Sequence, residues 1–215
     1  MLRLKTRDTK IEAELAKADP ILGRLIKAVV AKSGQKRISS PKFTPFEALA
    51  RAIVYQSVST KAAAVIHKRL QDSVKGAFTP NKTLAVPQSK LRKLGLSKSK
   101  AKSVHHLAAW FNDNHKLAKN LAGMPDEEVI KALTTIHGIG VWTVNMFLMF
   151  NLRRPDIMPA NDLGIRQGVQ LLYGMETVAT PKQVQERALR WQPYCSIASI
   201  YLWNAVNLKI TAEDF

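Results

Sequence analysis

This sequence is short of cysteine and of long apolar runs. Its single cysteine, Cys195, excludes a disulfide within the chain, and it also excludes a four-cysteine zinc or iron–sulfur site. Low cysteine content is typical of a reducing compartment, so we expect an intracellular protein, of the cytoplasm and nucleoid in a prokaryote and of the nucleus in a eukaryote. The sequence has no run of about 18 apolar residues, so we expect no membrane span. The basic residues 1–10 are not followed by an apolar signal region.

Acidic residues are also scarce. The 215 residues include 16 aspartates and glutamates against 33 lysines and arginines, which gives a net charge of +17. Such a surplus indicates a polyanionic partner, with nucleic acid the first choice and an acidic membrane the second. The basic residues are spread along the chain, which favours a folded positive surface over a charged tail. On charge alone, a generally basic protein without chemistry remains an alternative.

No segment alternates apolar and polar residues with a period of two, so the chain lacks the pattern of β-strands. Apolar residues at helical spacing predict an all-α protein with around ten helices. Helix-start residues and proline breaks place several boundaries. We expect a helical segment over residues 11–31 broken at Asp19–Pro20, a loop over 33–45, two helices within 45–70, and further helices beginning at Ser59, Ser97, Asp162, Thr180 and Cys195.

A glycine-containing turn at residues 136–140 separates two helix-like segments, 127–133 and 141–150. Gly138 and Gly140 allow the backbone to turn sharply there. The backbone N–H groups at the start of the second segment would then point outward, where the helix dipole favours an anion. A helix–turn–helix hairpin that binds a DNA phosphate is the simplest interpretation.

Several motifs of this chain occur together in one known family. They are GIGVWTV (138–144), MPANDL (158–163), AIVYQSVSTKAA (52–63), LGLSKSKA (94–101) and RWQPYCS (190–196) followed by Trp203. In this combination they resemble the helix–hairpin–helix, glycine/proline-rich loop and aspartate superfamily of DNA glycosylases. Within it they are most similar to the 3-methyladenine DNA glycosylase II branch, the AlkA-like and yeast MAG-like enzymes. The resemblance covers about residues 46–207.

The resemblance implies an all-α fold in which two helical subdomains flank a DNA-binding cleft, without the N-terminal β domain of the bacterial AlkA type. Residues 1–215 would then form a single glycosylase unit with the hairpin at about 126–150. A core helical subdomain would span about residues 46–160, and the helices at about 11–31 and 161–210 would pack as the second subdomain.

The implied activity is that of a monofunctional DNA glycosylase, which flips an alkylated purine such as 3-methyladenine or 7-methylguanine from duplex DNA and hydrolyses its N-glycosidic bond to leave an abasic site. The family position puts the catalytic carboxylate at Asp162, 22 positions after Gly140. Cleavage develops positive charge on the sugar, which a carboxylate stabilises. An ordinary helix cap is the alternative role for Asp162, and Asp156 is the rival carboxylate. Trp142 occupies the position of the lysine nucleophile of bifunctional members, and an indole cannot form a Schiff base.

The resemblance also implies sites for the base and for the DNA backbone. Aromatic and apolar side chains line the expected base pocket: Trp142, Trp203, Tyr55 and Met146. The expected DNA contacts are Gln56, Ser57, Gly138, Gly140, Val141, Thr143, Lys98 and Lys100, although a solvated lysine face explains the two lysines equally well. Ser57 stands where the family places a larger side chain that wedges into the gap left by the flipped base, so Gln56 is an alternative plug.

No cofactor is required by this chemistry, and the five histidines show no ligand spacing with a carboxylate. The family hairpin holds a sodium or potassium ion on backbone carbonyl oxygens, here those of Thr135, His137 and Ile139. The expected partner is double-stranded DNA with alkylated bases, with no membrane and no protein partner, and the protein is expected to be a monomer. A non-catalytic DNA-binding hairpin module, or a glycosylase for uracil, hypoxanthine or ethenoadenine, remains an alternative.

Overall fold

The computed structural model of the chain describes residues 6–33, 43–74 and 76–215. Within these residues the secondary structure is helical and includes no strand, which confirms the all-α prediction. The α helices are α1 (Thr6–Ala18), α2 (Pro20–Ser33), α3 (Pro45–Tyr55), α4 (Thr60–Asp72), α5 (Pro80–Leu84), α6 (Gln88–Lys93), α7 (Lys98–Asp113), α8 (His115–Asn120), α9 (Asp126–Leu133), α10 (Val141–Phe150), α11 (Leu163–Tyr173), α12 (Pro181–Ala188) and α13 (Cys195–Asn207). Short 3₁₀ helices cover Leu121–Gly123, Leu189–Trp191 and Ala212–Asp214.

Local capping explains why several helices begin where the sequence predicted. The hydroxyl of Ser59 accepts a hydrogen bond from the Ala62 N–H, and that of Ser97 accepts one from the Lys100 N–H. Thr180 begins α12 through a reciprocal capping box with Gln183. A capping side chain satisfies N–H groups that have no partner inside the helix, so it defines the first turn. These predicted helix starts are confirmed.

Two short helices were not predicted. α5 and α8 have five and six residues, too few for an apolar period to become visible. The predicted loop over 33–45 falls largely outside the described residues. None of the helices in the described parts of the chain is both long and apolar enough to cross a bilayer.

The chain divides into two compact units. The first unit consists of Met1–Pro41 and Arg153–Phe215, and the second of Lys42–Leu152. In the first unit, the buried apolar side chains of α2, α11 and α13 form one core. Gly168 lets two of these helices approach closely, because a Cβ atom there would lie 2.7 Å from the Cβ of Leu202. This close packing determines where the side chains of α13 meet the start of α11.

The second unit is built around α3, α7 and α10, and α3 packs against both of the others. Leu49 and Ile53 of α3, Leu107 of α7 and Leu148 of α10 are fully buried in it. Burial of each such side chain stabilises the fold by roughly 1.5–3 kcal/mol relative to exposure. Because α10 follows the glycine turn, its apolar face anchors the hairpin to this core.

Candidate functional site

In the first unit, Asp162 caps α11 and receives two hydrogen bonds on the same oxygen. Its Oδ1 accepts from the backbone N–H of Ile165 at 2.9 Å and from the indole Nε1–H of Trp203 at 2.7 Å. Asp162 and Trp203 are both half-buried. The first contact is that of an ordinary N-cap, whereas the second comes from a distant helix and holds the carboxylate in one orientation. Asp162 is therefore more than a local cap.

Gly164 makes room for this contact, and sequence reasoning missed it. A Cβ atom at Gly164 would lie 2.8 Å from Cδ1 of Trp203 and 3.1 Å from Oδ1 of Asp162. The first approach is closer than real Cβ atoms show and the second is tight, so a larger residue at this position would require the indole to shift. The sequence did contain an indication of this close packing, because Gly164 and Gly168 lie four residues apart and share one face of the predicted helix.

The loop before Asp162 is tied to the start of α13. The Ser196 hydroxyl donates to the Arg154 carbonyl oxygen at 2.7 Å and accepts from the Ile157 N–H at 3.0 Å. Asp156, the rival carboxylate, accepts from the Cys195 N–H at 3.2 Å and so contributes to the N-terminal end of α13. Burial, and then Asp156, raises the pKa of the Cys195 thiol, which keeps this residue an unreactive core thiol.

In the second unit, the glycine-containing turn at residues 136–140 lies between α9 and α10. Gly138 has φ +84°, and a Cβ atom there would lie 1.9 Å from the Ser103 hydroxyl of α7. Only glycine fits that position, for both backbone and steric reasons. Gly140 differs from the prediction, because its φ of −98° is open to any residue and a Cβ atom there would meet no heavy atom within 4 Å. One glycine, not both, makes the sharp turn.

The first turn of α10 points two large side chains outward. Val141 and Trp142 are 48% and 38% exposed, and the N-cap residue of this helix is Gly140, which makes no side-chain capping hydrogen bond. Thr143, another predicted DNA contact, has a buried side chain whose Oγ1 accepts a hydrogen bond from Gln56, and its contact with DNA stays a prediction. Its backbone N–H lies in the first turn of α10, where N–H groups and the helix dipole attract an anion.

Gln56 and Lys100, two of the predicted DNA contacts, make hydrogen bonds within the protein, and their contacts with DNA stay predictions. The Gln56 amide Nε2 donates to the Gly138 carbonyl oxygen at 3.2 Å and to Thr143 Oγ1 at 2.9 Å. The Lys100 ammonium donates to the carbonyl oxygens of Val54 at 2.8 Å and of Gln56 at 2.5 Å. Burial lowers the pKa of Lys100. Together these contacts attach the end of α3 to the hairpin, because free carbonyls at a helix C-terminus need donors.

Two predicted DNA contacts lie on the surface, where they stay predictions. Lys98 is exposed at the start of α7. Ser57 is exposed in the connection between α3 and α4, and its φ of 52° is in the left-handed region that favours glycine. The next residue, Val58, is 40% exposed. An exposed apolar side chain therefore stands beside the small serine at the expected wedge position.

The predicted pocket residues are distributed over both units. Asp162 and Trp203 meet in the first unit. Tyr55 on α3 and Trp142 and Met146 on α10 belong to the second unit. Tyr55 lies under the Arg51 guanidinium, at 3.9 Å from its ring centroid, and edge-on to the buried His67. The base-binding role of these side chains stays a prediction.

The described residues contain no group of three or more histidine, cysteine, aspartate or glutamate side chains placed to hold a metal ion. The hairpin carbonyls were the other expected ligands. Described residues donate no backbone hydrogen bond outside the helices to the carbonyl oxygens of Thr135, His137 or Ile139. Carbonyl oxygens are ligands that hard cations accept, so a sodium or potassium ion at this turn stays a prediction.

Comparison with known proteins matches most of the chain to one family. Residues 50–193 match the model of the HhH-GPD superfamily base excision DNA repair proteins. The DNA-3-methyladenine glycosylase 1 of Schizosaccharomyces pombe is 34% identical over 203 residues, which cover 93% of this chain and 88% of that protein. The DNA-3-methyladenine glycosylase 2 of Escherichia coli is 31% identical over 74% of this chain and 56% of its own length.

Solved structures agree in fold. The S. pombe 3-methyladenine DNA glycosylase Mag1, in complex with abasic DNA, superposes with a TM-score of 0.83 at 32% identity, and the match covers 96% of this chain and 98% of that chain. These matches confirm the resemblance to the 3-methyladenine glycosylase branch. The chain therefore belongs to the DNA glycosylases of the HhH-GPD superfamily of base excision DNA repair proteins.

Proposed function

We propose that this protein is a monofunctional DNA-3-methyladenine glycosylase. It binds duplex DNA as a monomer, flips out an alkylated purine such as 3-methyladenine or 7-methylguanine, and hydrolyses the N-glycosidic bond to leave an abasic site. The observation that carries this proposal is the Asp162 carboxylate, which the Trp203 indole and the Ile165 N–H hold in one orientation. The names of the relatives support the choice of substrate.

Asp162 supplies the chemistry. As the bond to the base breaks, the sugar ring acquires positive charge, and a fixed carboxylate next to it lowers the free energy of that state. The same carboxylate orients or deprotonates the attacking water. An alkylated purine carries a positive charge of its own, so it departs as a neutral base and needs little protonation. One carboxylate without a general acid is sufficient for such a substrate.

The hairpin supplies the phosphate contact. The first turn of α10 follows Gly140, which makes no side-chain capping hydrogen bond, and the chain carries a net charge of +17. Together these favour a backbone phosphate of DNA at Gly140 and Val141. A sodium or potassium ion on the carbonyl oxygens of Thr135, His137 and Ile139 would add positive charge to the turn, and no other cofactor is part of this proposal.

Trp142 accounts for the monofunctional character. A lysine at this position would attack the sugar as an amine and later cleave the strand, whereas an indole nitrogen is neither basic nor nucleophilic. Base release should therefore stop at the abasic site. Trapping of a covalent protein–DNA adduct by borohydride would contradict this part of the proposal.

The decisive experiment measures base release from methylated duplex DNA by the wild-type protein and by Asp162→Asn. We expect release of 3-methyladenine by the wild type and a loss of about 10²–10⁴-fold in the variant. Affinity for abasic duplex should change little, because the hairpin is untouched. Asp156→Asn is the matched control, since it removes a carboxylate that bonds to Cys195 at the start of α13. Full activity of Asp162→Asn, or no base release by the wild type from any alkylated substrate, would contradict the proposed function.

A further inference from the structure

A cavity of about 300 Å³ lies in the second unit, where the end of α4 meets α5 and α6. Val74 and Val86 in its lining are buried, whereas Lys82 and Lys90 are exposed. Gly76 leaves room for the Lys82 ammonium, since a Cβ atom there would lie 3.3 Å from its Nζ. The complete lining is Ser73, Val74, Lys82, Ala85, Val86, Pro87 and Lys90. Two ammonium groups from different helices thus stand at one apolar depression.

The two lysines are the donors that this cavity offers to a ligand. The Ser73 hydroxyl donates to the Leu70 carbonyl oxygen at 2.7 Å. The backbone N–H groups of Val74, Ala85 and Val86 donate to carbonyl oxygens at 3.3, 3.2 and 3.1 Å. Each ammonium group carries three N–H donors and a full positive charge. An anionic group is therefore the ligand that matches this lining.

The chain around the cavity carries positive charge without acidic residues. Residues 73–112 contain eight lysines and arginines and no aspartate or glutamate. The acidic residue just before this segment, Asp72, forms an ion pair with Lys68 at 3.0 Å. The basic side chains exposed on α5, α6 and α7 are Lys82, Lys90, Arg92, Lys93, Lys98 and Lys102. A basic surface of this kind is the electrostatic footprint of a nucleic acid.

Helix α7 connects the cavity with the hairpin. Its Ser103 hydroxyl lies against Gly138, where a Cβ atom would be 1.9 Å away, and its His105 Nε2 lies 2.7 Å from the Val86 carbonyl oxygen. Residues two positions apart in an α helix point about 200° apart, so the two contacts are on opposite flanks of α7. Lys102 is exposed on the face between these flanks. The positive surface therefore continues from the hairpin across α7 to the cavity.

We propose that Lys82 and Lys90 bind a backbone phosphate of the same duplex that the hairpin binds, at a second contact beyond α10. The inference rests on the proposed DNA binding and extends its footprint. An α helix with its side chains is about 10–12 Å wide, and a DNA strand advances about 3.4 Å per phosphate along the axis. The second contact would lie at least about three base pairs from the first. Because each bound phosphate releases counterions, the second contact makes affinity depend more steeply on salt.

The test measures the dissociation constant of an undamaged duplex of about 25 base pairs between about 50 and 200 mM salt. In Lys82→Met/Lys90→Met, we expect the slope of log affinity against log salt to weaken by about two and the affinity at the lower salt to fall more than about tenfold. Lys116→Met/Lys119→Met is the matched control, because it removes the same charge from exposed side chains of α8. The slope of the control should stay close to that of the wild type.

Lys90→Met alone separates binding from support of the turn at Gly76, which only Lys82 approaches in this comparison. It should weaken the slope by about one, whereas the free energy of unfolding should change by less than about 0.5 kcal/mol because the side chain is exposed. A wild-type slope in both variants would overturn the inference, and base release by the wild type would still support the glycosylase proposal. Failure of the wild type to bind any duplex would overturn both.

A second measurement distinguishes DNA from a free phosphate ester. Val74 and Val86 line the cavity, so the nuclear magnetic resonance signals of their methyl groups report on a ligand there. We expect these signals to shift when the duplex is added, and to stay in place when a deoxynucleoside monophosphate is added at the same phosphate concentration. Equal shifts with the monophosphate would overturn the assignment to duplex DNA. Signals that do not respond to a bound duplex would overturn the second contact itself.

Discussion

The indole N–H of Trp203 lies 2.7 Å from Oδ1 of Asp162, the oxygen that also caps α11. These residues are 41 positions apart, and they meet because Gly164 and Gly168 let α13 approach the start of α11. The contact turns a helix cap into an oriented carboxylate. It also gives Trp203 a role distinct from stacking on a base, since its polar edge is already engaged.

Trp203→Phe tests the orientation role. Phenylalanine retains an aromatic ring but lacks the N–H donor. A hydrogen bond to a charged group contributes about 1.5–3 kcal/mol, so single-turnover base release should fall by roughly 10- to 100-fold. The affinity for abasic duplex should stay close to that of the wild type. A rate equal to the wild-type rate would show that the indole N–H does not matter for the chemistry.

The two hairpin glycines should differ sharply in stability measurements. Gly138→Ala places a Cβ atom on the Ser103 hydroxyl and forces alanine into a positive φ, so we expect a loss of about 2–4 kcal/mol in the free energy of unfolding. Gly140→Ala meets open space at a permitted φ and should change that free energy by less than about 0.5 kcal/mol. Urea denaturation of the pair provides the comparison. Equal losses would refute the structural distinction.

Lys98 and Lys100 offer a second matched pair. Lys100→Met removes the donor to the Val54 and Gln56 carbonyl oxygens and should destabilise the fold by about 1–3 kcal/mol. Lys98→Met removes an exposed charge, so stability should be unchanged. If Lys98 contacts a phosphate, the salt dependence of DNA binding should weaken by about one ion in that variant. The reverse pattern, with Lys98→Met the unstable variant, would contradict both roles.

The ionisation of Asp19 should make the free energy of unfolding depend on pH at acidic values. Its buried carboxylate accepts hydrogen bonds from the Tyr173 hydroxyl, the Trp191 indole and two backbone N–H groups. Burial opposes ionisation, but these donors outweigh it and lower the pKa of Asp19 from 3.8.

Because the pKa is lower in the folded state than in the unfolded state, the carboxylate stabilises the fold above the unfolded pKa. This contribution is lost as the pH falls through the folded pKa. Asp19→Asn should unfold more easily than the wild type near neutral pH, and the difference should shrink below about pH 4. Urea unfolding at several pH values checks this. A difference that does not vary with pH would contradict it.

Much of the fold could be predicted from residues close together in the chain. The apolar period and the caps at Ser59, Ser97 and Thr180 located most helices, because capping and amphipathic spacing are local properties. The hairpin and Asp162 were located in the same way, by motif and spacing. The short helices α5 and α8 were missed, because five or six residues are too few to show a helical period of apolar residues.

The sequence by itself determined the all-α class, the positive net charge, the position of the glycine turn and the family. The tertiary structure alone decided which polar groups meet. It joined Gln56 to the hairpin and Lys100 to the end of α3, buried the Thr143 side chain, and joined Trp203 to Asp162. Such contacts link residues tens of positions apart. They depend on how closely two helices pack, and that distance is determined by side-chain volume at the interface, which spacing along the chain does not encode.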